Sequence, residues 1–318
     1  MEDYRVSLAR CPDYQPGRLQ AALREALAPL GGLESWVAPG QTVLLKPNFI
    51  MPRPVAEPAI THPAFVLAVA ECLLSLGARV AIGDSPAWGS IEAVARNCGL
   101  IPEIQRLGVE LWDLNRPRKV KLASGHAVKA LQIDRRVLDT DVVINLPKVK
   151  VHCQLTMSGA VKNLFGCIGG RRKAFWHFRL GRRPERFAAM LLHNAETIRP
   201  ALTLADGIVA MDRHGPTKGD SRNLGLILAG TDCTAVDRIL AEIMGIDPKR
   251  IPTLEAARER GLPGAFLERI EIAGVPLAEA KGIPFTLPEM QPVLFSFPRI
   301  IKGLIKQVAR LQGGKGME

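Results

Sequence analysis

The stretch THPAFVLAVAECLLSLGARVAIGD, residues 61–84, decides the fold. Pro63 has the fixed φ and the missing N–H that suit a first helical turn, with Thr61 or His62 placed to cap it. Val66, Val69, Cys72, Leu73 and Leu76 recur at helical spacing, and Gly77 supplies the stop. An apolar strand over 78–83 follows at once. With another aliphatic run at 42–46 upstream, the unit reads as strand–helix–strand, the crossover that parallel strands require.

The same alternation continues outward. Strands are predicted at 109–114, 141–146, 202–205, 224–229 and 269–273, and helices at 17–30, 91–98, 185–198, 234–244 and 252–260. The expected class is α/β, a largely parallel sheet with helices on both faces and a second, smaller α/β lobe. Residues 1–150 are expected to form a Rossmann-like N-terminal lobe. Residues 151–283 are expected to form a Gly- and Arg-rich loop followed by the second lobe, because 153–199 is a long polar excursion before strands resume. Residues 284–318 are expected to form a basic, amphipathic tail helix.

The 318 residues carry a formal charge of +11, and its placement matters more than its size. Residues 171–186 contribute +6 and residues 299–318 contribute +4, leaving +1 for the other 282. Such a chain is a near-neutral body with two basic segments, so local anion attraction is the expectation. The composition excludes a disordered or collagen-like chain, and no run approaches the roughly 20 apolar residues of a spanning helix. The charged N-terminus has no signal-peptide core, and the six cysteines lack paired spacing. A cytoplasmic protein with reduced thiols is expected.

In parallel sheets, sites form beyond the carboxyl ends of strands. Those ends read Lys46-Pro47-Asn48, Gly83-Asp84-Ser85, Pro147-Lys148, Asp206-Gly207 and Asp232. The densest chemistry follows Pro147. Lys148, Lys150, His152 and Lys162 stand near Thr156 and Asn163, among glycines that include Gly166 and Gly169. Glycines let backbone amides approach an anion, lysines neutralise it, and a desolvated lysine or a histidine can move a proton. A solvated surface loop is the plainer reading, but such a loop does not need so much Gly and Asn beside apolar residues.

Lys148, Lys150, His152, Lys162 and Asp84 are therefore the expected catalytic residues. Lys46, Asn48, His62, Ser85, Thr156, Asn163, Gly166, Gly169, Arg171 and Arg172 are expected to bind substrate. Ser85 can instead cap a helix. No Gly-x-Gly-x-x-Gly, P-loop or Gly-x-Ser-x-Gly motif is present. A metal centre is a second expectation, drawing on Cys153, Cys167, Asp206 and Asp232, although their spacing matches neither a zinc ribbon nor a ferredoxin run. Asp212 and Asp237 are further Mg²⁺ candidates, Asp237 alternatively pairing with Arg238. The basic segment 171–186, with Phe175, Trp176 and Phe178, reads as a lid, as a nucleobase-stacking surface or as an exposed helix. Residues 298–311 are amphipathic, suited to a membrane surface or to docking on protein.

These residues resemble a known family. Lys46-Pro47-Asn48, Thr61-His62-Pro63, Gly83-Asp84-Ser85-Pro86, residues 146–152, residues 162–166, Asp206-Gly207, Gly215-Pro216 and Asp232 through Asp237 are similar to the domain-of-unknown-function 362 (DUF362) family, from about Val43 to near Leu262. The resemblance implies function at Lys46, Asn48, His62, Asp84, Lys148, Lys150, His152, Lys162 and Asn163, but brings no settled reaction. Some members carry a fused ferredoxin-type module. This chain has no Cys-x-x-Cys-x-x-Cys run, so an iron–sulfur cluster is not expected. A looser similarity, in architecture, is to the nickel-pincer lactate racemases, whose sites use lysine and histidine around a nucleotide-derived cofactor.

The expected function is an enzyme of acid–base type, an isomerase, lyase or transferase, acting on a small carboxylate- or phosphate-bearing metabolite or cofactor intermediate. Its cofactor is open between none, a divalent metal and a nucleotide-derived group. The alternatives are a metal or iron–sulfur redox protein using Cys153 and Cys167, and a nucleic-acid binder using 171–186. Expected partners are a small anion, a membrane or protein contact through 298–311, and a second copy of the chain. No specific nucleic acid is expected.

Overall fold

The computed structural model describes residues 4–123 and 127–293, and the expected tail helix at 298–311 lies outside them. The strands are β1 (Arg5–Arg10), β2 (Thr42–Pro47), β3 (Arg79–Asp84), β4 (Glu110–Asp113), β5 (Pro117–Lys121), β6 (Ala130–Asp134), β7 (Val142–Leu146), β8 (Lys148–His152), β9 (Thr156–Ser158), β10 (Leu202–Asp212), β11 (Asp220–Gly230) and β12 (Glu271–Gly274). The helices are α1 (Pro16–Leu27), α2 (Pro63–Ser75), α3 (Ile91–Asn97), α4 (Leu100–Leu107), α5 (Arg135–Asp139), α6 (Ala160–Asn163), α7 (Arg171–Leu180), α8 (Pro184–Ile198), α9 (Cys233–Met244), α10 (Pro252–Glu259) and α11 (Leu277–Ala280).

The crossover in 42–84 forms as its pattern predicts. His62 caps α2 through its own ring, Nδ1 accepting the Ala64 N–H, and Gly77 takes φ +77° after the last turn. The helix delivers β3 parallel to β2. One sheet runs in the order β12-β1-β11-β10-β7-β2-β3-β4, parallel from β10 to β4, and β5 and β6 make a separate hairpin. Its two faces carry separate apolar cores. Leu19, Leu23, Phe65 and Val69 of α1 and α2 lie on one, and Phe187, Leu191, Ile239 and Leu240 of α8 and α9 on the other. The fold is α/β, with helices on both faces.

Strand β10 positions the site. Its first residues pair with β7, and its later ones pair with β8, Asp206 opposite Lys148 and Met211 opposite Lys150. The hand-over falls at Pro147, whose carbonyl accepts the Asp206 N–H at 2.9 Å. The expected loop from 151 is therefore partly strand, β8 reaching His152 and β9 following after a turn at 153–155. The pattern Lys-Val-Lys-Val-His alternates with period two, sending Val149 and Val151 into the core and Lys148, Lys150 and His152 to the other side. The Arg-rich segment 171–186 is likewise regular, forming α7 and the start of α8.

Candidate functional site

Five lysines converge beyond the strand ends, and two of them are paired with carboxylates. Lys46, fully buried at the end of β2, lies 2.9 Å from Asp84 at the end of β3 and donates to the Pro47 carbonyl at 2.6 Å. Asp84 also accepts the N–H groups of Phe49 and Ser85, each at 2.7 Å, so both of its oxygens are engaged. These contacts make Asp84 the ion-pair partner of Lys46 and tie it to the backbone after β2 and β3. Gly166 is required here, because a Cβ on it would run into Asp84 Oδ1 and Lys46 Nζ.

Lys148 is paired on the other side of the sheet end. Its Nζ reaches Asp206 at 2.8 Å and the Tyr14 hydroxyl at 2.9 Å, and Tyr14 in turn donates to Asp206 at 2.8 Å. The His62 N–H completes the carboxylate at 3.0 Å, and its ring stacks on Tyr14 with centroids 3.6 Å apart. Burial holds Lys148 below the usual ammonium range, against the pull of Asp206, and pushes His62 down to about 4.

Lys150, Lys162 and Lys173 have no carboxylate in hydrogen-bond reach. Lys150 donates to Asn48 Oδ1 at 2.7 Å and to the Ala59 carbonyl at 2.6 Å. Asn48 passes the chain on to Asn163, which also holds the Lys46 carbonyl and the Asn145 amide. Lys173, from α7, donates to the Ser85 carbonyl. Lys162 is half-buried and has no hydrogen-bond or ion-pair partner among the described residues. Burial, reinforced by the neighbouring cations, lowers Lys162 and Lys173 to about 8 and Lys150 well below the usual range. Ser158 stands opposite Lys150 in the β8–β9 register, and its hydroxyl is buried without a hydrogen-bond partner. Cross-strand neighbours share a face, so an unfilled hydroxyl sits beside this cation.

Two histidines border the cluster. His152 Nδ1 accepts the Gln154 N–H at 3.0 Å, which places the proton of the neutral ring on Nε2. Burial and Lys162 hold its pKa well below the usual value, so the ring is neutral near pH 7. His177 of α7 contacts the Val293 carbonyl through Nδ1 at 2.8 Å and is pushed by burial to about 4. The turn that presents Lys162 is anchored from beneath. Asp237 of α9 accepts the N–H groups of Ala160 (2.5 Å) and Val161 (3.1 Å), and Gly159 leaves room for it. Asp237 therefore does not pair with Arg238, which bonds Glu242 instead.

The remaining expected residues have contacts of their own. Ser85 caps no helix: its Oγ accepts the Gly170 N–H at 3.1 Å, while Ser90 caps α3. Thr156 takes φ +64°, unusual for a β-branched residue, and spends its hydroxyl on the Arg250 carbonyl at 2.6 Å. Gly169 packs on the Leu114 carbonyl and Asn115. Arg172 points away from the lysines to Gln132, and the Arg171 side chain lies outside the described ones.

The expected metal ligands are not gathered. Asp206 is consumed by Lys148 and Tyr14, Asp232 caps α9 through the Ala235 N–H, and burial lifts the Cys167 thiol to about 12. Asp212 pairs with Arg222 at 2.8 Å. Among the described residues no group of three or more His, Cys, Asp or Glu is placed to hold a metal ion.

Tyr14, Ser158, Lys173 and His177 belong to the site although no motif marks them. Lys173 and His177, four apart on α7, had a helical-spacing signal that the surrounding arginines obscured.

A family model described as "Domain of unknown function (DUF362)" matches residues 43–242, which hold most of this cluster. The chain belongs to the DUF362 family. This DUF362 protein is 39% identical, over 305 residues, to a thylakoid-associated protein of Synechocystis sp., an alignment covering 95% of this chain and 93% of the relative. Among solved structures it is similar to the lactate racemase apoprotein of Thermoanaerobacterium thermosaccharolyticum (13% identity, TM-score 0.47, 73% of this chain and 54% of that one). It is also similar to a structural-genomics protein of Thermotoga maritima (12% identity, TM-score 0.45, 69% and 56%). The chain thus spans about half the length of the solved structures it matches. No described helix of this DUF362 protein is long and apolar enough to cross a membrane.

Proposed function

We propose that this DUF362 protein is an enzyme that binds a small carboxylate- or phosphate-bearing molecule among Lys150, Lys162 and Lys173 and moves a proton on it. The observation that carries the reading is Lys162, half-buried between other cations with no acceptor of its own. A cluster with this excess of positive charge gains most from an anion, which supplies the missing acceptors and restores the lysines to their charged state. The unfilled Ser158 hydroxyl adds a donor beside Lys150.

The division of labour follows from protonation. Neutral His152, protonated on Nε2, is a hydrogen-bond donor to a substrate oxygen and not the base. The proton donor is a lysine. Lys162, lowered to about 8 in the free protein and recharged by the bound anion, can release its proton to that molecule near neutral pH. Lys46–Asp84, Lys148–Asp206–Tyr14 and the Asn48–Asn163 link hold these groups in place.

Native mass spectrometry of gently purified protein tests this. A co-purifying organic anion present in wild type and lost in Lys162→Met supports it. The same mass retained by that variant would overturn it. For location, the relative named for thylakoid association, together with the amphipathic 298–311 stretch, supports a peripheral membrane attachment through that stretch.

A further inference from the structure

Helix α7 has a second working face. Lys173 and His177 look inward to the lysine cluster, whereas Arg172 and Arg179 form one wall of an outer groove of about 1080 Å³. The β5–β6 hairpin forms the other wall with Lys119 and Lys129, and Arg183 and Arg186 close one end. All six charged lining residues are cations. None of them takes part in any of the sixteen ion pairs among the described residues.

The floor is different in kind. Val128 and Ala130 of the hairpin side and Trp176 and Leu180 of α7 give it an apolar surface. Phe175 is half-exposed at the rim with the Arg179 guanidinium 5.8 Å from its ring centroid. The volume lies just above the range for small-molecule sites, roughly 300–1,000 Å³, too large for a bare phosphate or acetate. Cations on both walls around an apolar, partly aromatic floor fit a ligand with several anionic groups on a flat apolar body.

We propose that the groove between α7 and the β5–β6 hairpin binds an organic polyanion of nucleotide size, at a site separate from the lysine cluster. The proposal does not rest on the catalytic reading, since the groove and the cluster use different residues on adjacent faces of α7.

The test is isothermal titration of the full chain in low-salt, metal-free buffer, with ATP, inorganic tripolyphosphate and adenosine as probes. The expected result is one saturable site for ATP, tighter than for tripolyphosphate, with no detectable adenosine binding. Charge reversal on both walls, Lys129→Glu with Arg179→Glu, should weaken ATP by at least about tenfold, and ATP binding should persist in Lys162→Met. Both reversed residues are exposed, and the charge-neutral Lys129→Gln with Arg179→Gln pair keeps the test readable if the reversals disturb folding. Equal affinity for tripolyphosphate would remove the role of the apolar floor and overturn the proposal. So would loss of ATP in Lys162→Met alone, which would place the ligand in the cluster. Binding of phosphatidylglycerol vesicles but of no free probe, sensitive to the wall reversals, would make the groove a membrane contact and overturn it as well.

Discussion

Lys148 and Lys162 stand in one cluster in opposite states of pairing, and their substitutions should therefore diverge. Lys148→Met leaves Asp206 buried with only the Tyr14 hydroxyl and the His62 N–H, and should cost about 3–5 kcal/mol in urea denaturation. Lys162→Met removes a cation that has no acceptor, so its Tm should equal or exceed that of wild type. A comparable loss in both would place Lys162 in a structural network. The pH dependence has two opposite signs. Lys162 and Lys173 fall to about 8 from an ordinary 10.5, so between those values the unfolded chain holds more protons and their contribution to stability rises with pH. Anion affinity does the reverse, because the charged lysines attract the ligand. It should fall as pH rises through about 8, as titrations on either side of that value would show. At this scale the paired lysines were legible, because they follow apolar strands. Tyr14 was not, since it meets Asp206 across a gap of 192 residues.

The elements explain why a charged stretch can be a buried strand. The alternation in Lys148–His152 is a strand signal, yet alternate lysines ordinarily mean a solvent face, and only the β10 pairing shows that this face turns into a site. Regular elements such as α2 and β3 were readable because one periodicity and one stop residue define each. The short α6 turn was not, because it owes its conformation to Asp237, 77 residues away. Asp237→Ala should leave the Ala160 and Val161 N–H groups unsatisfied. The expected cost is about 2–4 kcal/mol by thermal or urea unfolding, with weakened anion binding through displacement of Lys162. Gly166→Ala should destabilise by about 1–3 kcal/mol, since the Lys46–Asp84 pair must shift to admit a methyl group. Wild-type stability in Gly166→Ala would show that the pair yields freely.

For the whole molecule, the membrane expectation concerns the stretch beyond the described residues. Full-length chain should float with phosphatidylglycerol vesicles at low salt, and a chain truncated after residue 297 should not. Equal flotation of the two would move any attachment elsewhere. The sheet order has a different consequence, for synthesis. Strand β1, near the start of the chain, lies between β11 and β12, which leave the ribosome more than two hundred residues later. At roughly 5–20 residues per second, β1 waits about 10–40 s with both edges bare. The nascent chain is then a natural client for chaperones, and variants that slow β11 formation should lower yield in cells more than they lower the stability of the finished protein.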